Sequence, residues 1–385
     1  MIKERLINCL REKDFDIVIL TSLPNVIYAS EFEVPYFGGF MADMAKTLPM
    51  VTAVIDVAMK EFCLVASDFY KSKIQRAGFE ERTIFFPCFN YMTDNDPVEN
   101  FQRALSETLY GHKSCKKVGI EIPTAPCCLM ETIKRSLPGT KICDVSMTME
   151  ESRKIKTSKE IACLECAARG ADAAQDRLVE LSREPGVMTE LDVWFEVQKA
   201  VSKVTSEMNP FYGELVTGPR TGLSDYPLGP TNRKIEKGDI AIMDVGPRVS
   251  GYWSDCSNVA VFWQEPNKEQ LRYFRAVKAA YEAGRDAIRP GKTFLEVNEA
   301  MSAAYVQHGF SLCSYLGHQI GVQVNEKPRF TLFDYTVLEE NMVVCIEPQL
   351  YSGKSGVTGV RLEKMLHVTK NGARELNHFS WGIEE

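Results

Sequence analysis

Four acidic residues interrupt apolar segments in the second half of the sequence. Asp244 lies in GDIAIMDVG, Asp255 in GYWSDCSNVAVFW, Glu347 in MVVCIEPQL and Glu363 in GVRLEKMLHV. Apolar segments of this length are typical of strands in the core of a domain. An ionised carboxylate in such a position destabilises the fold unless a positive charge compensates it. A fold of this chain therefore has to bring positive charge to these acids.

The first segment, GDIAIMDVG, shows most directly that an acidic side chain is expected at a buried position. Successive side chains of a strand point to opposite faces of the sheet. The predicted strand from Asp239 to Val245 then has Ile240, Ile242 and Asp244 on one face and Ala241, Met243 and Val245 on the other. Both faces are apolar, so we expect the strand to be buried on both sides and Asp244 to be buried with it.

A pair of divalent cations would compensate these acids. One buried acid is usually the partner of a basic side chain, and Arg361 could pair with one of the four, but one arginine cannot neutralise them all. His318, in LGHQIG, adds an imidazole between two glycines that allow close approach of the backbone. Four carboxylates and one imidazole suit Mn, Co, Fe or Zn. A pair of such ions can hold a hydroxide at neutral pH.

The composition indicates a soluble globular protein, with 45% hydrophobic and 25% charged residues. A net charge of −7 without a basic cluster argues against a nucleic acid partner. No apolar run approaches the roughly 18 residues that a membrane span requires, and the charged N-terminal segment lacks the core of a secretory signal. We therefore expect a cytoplasmic protein without a membrane partner, whose twelve cysteines are free thiols.

Two domains are expected, because the chain is too long for one core. The pattern at 1–150 predicts an α/β domain with strands at Asp16 to Leu20, Val51 to Val57, Arg82 to Phe86 and Lys117 to Ile122. The pattern at 151–385 begins within a long helix, from Met149 to about Glu184, and continues with strands at Asp239 to Val245, Tyr252 to Trp263, Met342 to Ile346 and Val360 to Val368. Short turns between these later strands favour an antiparallel sheet, so the whole chain is assigned to the α+β class.

The second half resembles the pita-bread metallopeptidase family, which includes methionine aminopeptidase, aminopeptidase P, prolidase and creatinase. The resemblance rests on MDVGPRVSGYWSD, LGHQIGVQVNEKP, VVCIEPQL and GVRLEKM. The first half, with LPNVIYASEF, is similar to the N-terminal domain shared by aminopeptidase P, prolidase and creatinase. The resemblance implies an α/β creatinase/prolidase-type domain followed by a pita-bread catalytic domain, and a homodimer.

The resemblance also implies a role for each metal ligand. Asp255 and Glu363 would bridge two divalent ions, Asp244 would complete one ion, and His318 with Glu347 would complete the other. Glu347 would in addition be the catalytic residue that handles the proton of the bridging water. A nearby carboxylate of this kind can carry the proton to the leaving nitrogen.

Histidines that the family uses around the metals are missing from this sequence. Ser314 stands four residues before His318, and Asn325 stands seven residues after it, where the family has histidine. The upstream histidine falls in TGLSDYPLGPTNR, where this chain offers Asp225 or Pro227, depending on where the gap is placed; Asp225 is taken as the candidate. Together with Arg361, these three residues are the candidate substrate-binding residues. Loss of one electrostatic stabiliser typically costs about a hundredfold to a thousandfold in rate.

The leading hypothesis is a cytoplasmic dinuclear-metal hydrolase of the Xaa-Pro dipeptidase or aminopeptidase P type. It would cleave the C–N bond of a small peptide or amide with a metal-bridging hydroxide. One alternative is a metal-dependent, creatinase-like hydrolase of a small amino-acid derivative, which the altered Asp225, Ser314 and Asn325 positions favour. The other is a peptide-binding relative without catalysis.

Overall fold

The computed structural model describes residues 3–34, 48–89, 92, 96–205, 211–223, 229–353 and 358–383, with the backbone alone at 211–212. The chain forms two compact units, Met1–Arg153 and Lys154–Glu385. The assignment of separate domains to 1–150 and 151–385 stays a prediction. Among the described helices, none combines the length and the apolar character that crossing a membrane requires.

The first unit is built around a mixed six-stranded sheet. Its strands are β1 (Ile17–Leu20), β2 (Val51–Asp56), β3 (Glu61–Ser67), β4 (Thr83–Phe86), β5 (Lys117–Ile120) and β6 (Lys141–Asp144). They lie in the order β4-β3-β2-β1-β5-β6. The pairs β1–β2 and β2–β3 are antiparallel, and the pairs β1–β5, β3–β4 and β5–β6 are parallel.

Helices accompany this sheet. Those described are α1 (Glu4–Glu12), α2 (Leu23–Ser30), α3 (Lys71–Arg76), α4 (Pro97–Leu109), α5 (Cys127–Ser136) and α6 (Ser146–Arg153). The four predicted strands of this half are confirmed as β1, β2, β4 and β5, with ends that differ by one or two residues. Leu6, Ile7 and Leu10 are the buried residues of α1, as expected for an amphipathic helix.

The second unit contains antiparallel sheets, as the short turns predicted. Its strands are β7 (Phe211–Thr217), β8 (Ile240–Val249), β9 (Tyr252–Trp253), β10 (Cys256–Val261), β11 (Tyr315–Gln319), β12 (Glu326–Thr331), β13 (Val343–Ile346), β14 (Gln349–Tyr351), β15 (Gly359–Arg361), β16 (Lys364–Thr369) and β17 (Gly372–Glu375). One sheet has the order β10-β8-β7 with β9 on β8, another the order β12-β11-β13-β16-β17, and β14 pairs with β15.

Two helix pairs cover the sheets of this unit. They are α7 (Ser158–Arg183) with α8 (Glu190–Thr205), and α9 (Lys268–Ala287) with α10 (Phe294–Gln307). The alternation predicted for β8 is confirmed, because its two faces contribute to two different cores. Ala241, Met243 and Val245 pack with residues of α7 and α8, and Ile240 and Ile242 pack with residues of α9 and α10.

The long helix pattern predicted from Met149 to about Glu184 forms two helices in the structure. Helix α6 ends at Arg153 and α7 begins at Ser158. The Thr157 side chain accepts a hydrogen bond from the Glu160 backbone N–H, and the Glu160 side chain accepts one from the Thr157 N–H. This capping box satisfies N–H groups that a helix start leaves without partners, so it fixes the beginning of α7.

Candidate metal centre

Three of the four acids lie at the ends of strands and not inside them. Asp255 lies between β9 and β10, Glu347 directly follows β13, and Glu363 lies between β15 and β16. The continuous strands predicted from Tyr252 to Trp263 and from Val360 to Val368 are therefore wrong. Only Asp244 lies within a strand, β8. An interruption frees the backbone from the strict alternation of a strand, so these carboxylates can converge from different strands.

Backbone pairing fixes the position of Glu363. Its N–H donates to the carbonyl of Ser257 over 2.9 Å, and the Ser257 N–H donates to the carbonyl of Glu363 over 3.3 Å. The Ser257 hydroxyl also donates to Glu363 Oε2 over 3.3 Å. Because Ser257 pairs with Asp244 between β10 and β8, these contacts connect two of the acids through one residue.

His318 faces the acids with the nitrogen that can bind a metal. Its Nδ1 lies 2.9 Å from the carbonyl oxygen of Gln319, and a carbonyl only accepts, so Nδ1 carries the proton. The lone pair of Nε2 then points towards Asp255 Oδ2 at 3.3 Å and Glu363 Oε1 at 3.7 Å. A lone pair facing two carboxylates is the arrangement that a metal ion stabilises.

The remaining acids approach one another equally closely. One ligand atom each from Asp244, Glu347 and Glu363 lie within 4.8 Å of one another. Asp244 Oδ1 and Glu363 Oε1 are buried and accept no hydrogen bond from the described residues. These two oxygen atoms are therefore free to bind a cation, and a divalent ion fits the donor set of this centre.

Burial and mutual repulsion hold these acids in an unfavourable state without a cation. Burial, followed by the neighbouring Asp255, raises the pKa of Asp244 and of Glu363 well above the ordinary range. Burial, followed by Asp244, raises the pKa of Glu347 to about 8. Burial also lowers the pKa of His318, which keeps its imidazole neutral. Neutral imidazole is the form that binds a metal.

A thiol lies beside the centre. The sulphur of Cys345 is within 4.8 Å of ligand atoms of His318 and Glu363, because Cys345 and His318 are directly opposed on β13 and β11. Burial, followed by the surrounding acids, raises the pKa of Cys345 well above its usual range. Without a metal ion, the raised pKa keeps this thiol neutral.

The centre lies in the wall of a cavity of about 1310 Å³. Asp244, Asp255, His318 and Glu347 line this cavity, together with the predicted substrate-binding residues Ser314 and Asn325. Asp225, the third candidate, lies outside the described residues. The structure thus brings Ser314 and Asn325 to the same space as the candidate ligands.

Arg361 occupies a different position from the one expected for a substrate-binding residue. Its side chain is buried and is not part of the described cavity lining. It lies 3.0 Å from Asp244 Oδ2, 3.9 Å from Glu347 Oε1, and within hydrogen-bond distance of the Ser257 hydroxyl at 2.9 Å. Its contacts are therefore with the acids of the centre, and a direct contact with substrate stays a prediction.

Two residues of this site were not predicted from the sequence. Glu214, on β7, lines the cavity and contacts Arg361. Tyr315, at the start of β11, also lines it, and its hydroxyl accepts a 2.7 Å hydrogen bond from Asn325 Nδ2. Glu214 follows a glycine and precedes Leu215 and Val216 in FYGELVTG. An acid in such an apolar strand is the same signal that identified Asp244.

Antiparallel strands that bring four carboxylates and one imidazole to one cavity define a metal-dependent hydrolase. The sequence model of metallopeptidase family M24 matches residues 162–370 of this chain. The Xaa-Pro dipeptidase of Pyrococcus horikoshii is 30% identical over 304 residues, which cover 77% of this chain and 84% of that protein. The chain belongs to metallopeptidase family M24, the family of pita-bread peptidases that its sequence resembles, and it is a metal-dependent peptidase.

Two further comparisons extend over nearly the whole chain. The creatinase of a Bacillus species is 26% identical over 406 aligned positions, covering 99% of this chain and 90% of the creatinase. The crystal structure of the prolidase from Pyrococcus horikoshii superposes with a TM-score of 0.77 at 23% identity, covering 98% of both chains. The α+β class and the pita-bread fold predicted from the sequence are confirmed.

Proposed function

We propose that this chain is a dinuclear-metal hydrolase of the Xaa-Pro dipeptidase type, which cleaves the C–N bond of a small peptide or amide. The convergence of Asp244, Asp255, His318, Glu347 and Glu363 beside one cavity carries this proposal. The dipeptidase relative supports the substrate class. Mn, Co, Fe and Zn all suit the donor set.

The division of the ligands between two ions follows the one that the resemblance implies. Asp255 Oδ2 and Glu363 Oε1 lie 3.3 and 3.7 Å from His318 Nε2, and both residues would hold the ions as shared ligands. His318 and Glu347 would complete the set of one ion, and Asp244 that of the other. The unpartnered Asp244 Oδ1 and Glu363 Oε1 supply donor atoms that no hydrogen bond occupies among the described residues.

When bound, such ions would lower the pKa of a water and polarise the scissile carbonyl. Glu347 is the residue assigned to proton transfer, because it lines the cavity and lies among the ligands. Its carboxylate takes the proton that the attacking water loses and passes it to the leaving nitrogen. The products are then a carboxylic acid and an amine, and Glu347 returns to its initial charge.

Ser314, Asn325 and Tyr315 are assigned to positioning of the substrate. The Asn325 amide is oriented by two partners: Arg329 Nε donates to Oδ1 over 2.7 Å, and Nδ2 donates to the Tyr315 hydroxyl over 2.7 Å. One N–H of Nδ2 is then left for a substrate carbonyl. An oriented amide of this kind can position a substrate without carrying a charge or a proton.

Hydrolysis assays test the proposal. The purified chain, loaded in turn with Mn, Co, Fe or Zn, should cleave Xaa-Pro dipeptides, and elemental analysis should find about two ions per chain. The Asp255→Ala variant should hold no metal and cleave nothing. A chain with full metal content that cleaves no Xaa-Pro peptide would contradict the peptidase assignment.

A metal-dependent hydrolase of a small amino-acid derivative is the second candidate. His318 is the one histidine among the described residues of the cavity lining, and the creatinase relative covers nearly the whole chain. Small N-acyl amino acids and cyclic amidines should be assayed beside the dipeptides. Cleavage of one of these compounds, with dipeptides untouched, would favour the second candidate.

The homodimer that the resemblance implies belongs to the same proposal. Size-exclusion chromatography with light scattering should give twice the mass of one chain. A mass of one chain at micromolar concentration would contradict the homodimer without affecting the metal centre.

A further inference from the structure

Glu214 is a fifth acid beside the metal centre, and neither the ligand set nor the proton transfer uses it. It lies on β7 directly opposite Asp244 on β8. Only 9% of its side chain is exposed. Its Oε1 contacts Arg361 Nη2, and its Oε2 is buried and accepts no hydrogen bond from the described residues. A buried carboxylate in this position destabilises the fold unless a positive charge compensates it, because it adds negative charge to a site already rich in acids.

Arg361 provides the connection between Glu214 and the candidate ligands. The same Nη2 that contacts Glu214 lies 3.0 Å from Asp244 Oδ2. Nη1 lies 3.9 Å from Glu347 Oε1. Nε donates to the Ser257 hydroxyl over 2.9 Å, and that hydroxyl donates to Glu363 Oε2 over 3.3 Å. The guanidinium therefore reaches three of the four ligand acids, directly or through one hydroxyl.

The charge of Arg361 has two opposed effects on a metal centre. Its hydrogen bonds orient the ligand carboxylates. Its positive charge, however, repels divalent ions a few ångströms away, and burial leaves little water to screen that repulsion. The arginine side chain is only 2% exposed. A negative group that pairs with Arg361 without itself binding metal would keep the orientation and remove the repulsion.

We propose that Glu214 is a positioning residue that neutralises Arg361, so that the guanidinium can orient Asp244 and Glu363 without lowering the affinity of the centre for divalent ions. The inference rests on the proposed function, because it presupposes that the centre binds metal. It deepens that proposal by explaining why a fifth acid lies next to four ligand acids. Four acids of the centre would then bind metal, and Glu214 beside them would balance the charge of Arg361.

A double-mutant cycle on Mn²⁺ affinity tests this role. The full-length chain, loaded with Mn²⁺, is titrated with a chelator to obtain the dissociation constant of the metal. Glu214→Gln keeps the shape of the side chain but leaves the charge of Arg361 uncompensated, so the dissociation constant should rise at least about tenfold. Adding Arg361→Gln to Glu214→Gln removes the uncompensated charge and should return the constant to within about threefold of the wild-type value.

Glu190→Gln is the matched control. Glu190 is a fully buried glutamate of the same unit that pairs with an arginine, Arg220, and contacts none of the candidate ligands. This variant should lower the melting temperature of the metal-free chain and leave the Mn²⁺ dissociation constant unchanged. Glu214→Gln should instead change the dissociation constant, which a purely structural role would not do.

Two outcomes would overturn the inference. An unchanged Mn²⁺ affinity in Glu214→Gln would show that the charge of Arg361 does not act on the metals. A double variant that binds Mn²⁺ as weakly as Glu214→Gln, or more weakly, would show that compensation of the Arg361 charge is not the role of Glu214. If the wild-type chain itself bound no Mn²⁺, Co²⁺ or Zn²⁺, the proposed metal centre would fail first, and the two failures are thus distinguishable.

Discussion

Glu363 combines complete burial with backbone pairing that does not depend on its side chain. Its side chain is fully buried, and its backbone exchanges two hydrogen bonds with Ser257. Glu363→Gln should therefore fold. The amide cannot carry a charge, so metal binding should be lost, whereas the metal-free chain should gain on the order of 1 kcal/mol in free energy of unfolding. Elemental analysis and urea denaturation of the metal-free chain measure the two effects.

Glu299→Gln serves as the control for this substitution. Glu299 is an exposed residue of α10, and the same chemical change there should alter neither metal content nor stability. A Glu363→Gln variant that retained its full metal content would contradict the assignment of Glu363 as a ligand. A loss of stability in the metal-free chain would contradict the view that burial of this acid destabilises the fold.

Single residues could be predicted from the sequence where an acidic side chain interrupts an apolar segment. Asp244, in an apolar strand, was such a case, and its burial is confirmed. An acidic residue in an apolar segment also occurs at Glu214, but this residue was not predicted from the sequence. The contact of Glu214 with Arg361 joins residues far apart in the chain, and spacing along a single sequence does not contain that information.

Gly317 determines how β11 lies against β13. Its φ is +131°, and a Cβ at this position would lie 2.1 Å from the carbonyl oxygen of Cys345. Gly317→Ala should separate the two strands and displace His318, the next residue. We expect a loss of at least about 3 kcal/mol in the free energy of unfolding and weaker metal binding. Denaturant titration and chelator competition measure these changes.

Gly309→Ala separates backbone strain from the steric clash. Gly309 has a φ of +74°, and no heavy atom lies within 4 Å of the Cβ that alanine would add. This substitution should cost only about 1 kcal/mol in stability and leave metal affinity unchanged. Equal effects of the two substitutions would show that the close approach of β11 to β13 does not position His318.

The elements themselves were easier to predict than the places where they stop. Hydrophobic patterns located β8 and β13, because both strands are buried along their whole length. The interruptions at Asp255 and Glu363 have no such signature, since the apolar residues continue on both sides of them. Backbone contacts such as those of Glu363 with Ser257 determine these interruptions, and they form only in the folded chain.

The pH dependence of stability should differ between the metal-free and the metal-loaded molecule. The pKa of Glu347 is raised from 4.5 to about 8 by burial and by Asp244. An acid whose pKa is raised by folding stabilises the folded state most at low pH, and this contribution is lost as the pH rises through the folded value. The raised pKa values of Asp244 and Glu363 act in the same direction. The metal-free chain should therefore lose stability progressively as the pH rises from about 4.5 to about 8, the ordinary and the raised pKa of Glu347.

Bound metal should suppress this loss, because the cation stabilises the ionised acids. At a free metal concentration of about 100 times the dissociation constant, the gain is about 2.7 kcal/mol. Urea midpoints of the metal-free and loaded chain at a series of pH values measure both effects. Parallel pH profiles for the two forms would show that the acids of the centre are not responsible.

The order of the ligands along the chain has a consequence for how the protein is made. Asp244 and Asp255 leave the ribosome well before Glu347 and Glu363, and the backbone pairing of Ser257 with Glu363 joins the early and the late segments. Contacts between segments so distant in sequence form late in folding. During synthesis, the carboxylates of Asp244 and Asp255 are therefore protonated or hydrated until the segments that contain Glu347 and Glu363 have been translated. We therefore expect a divalent ion to bind after the segments from Asp244 to Glu363 have come together, in contrast to small domains that fold around zinc.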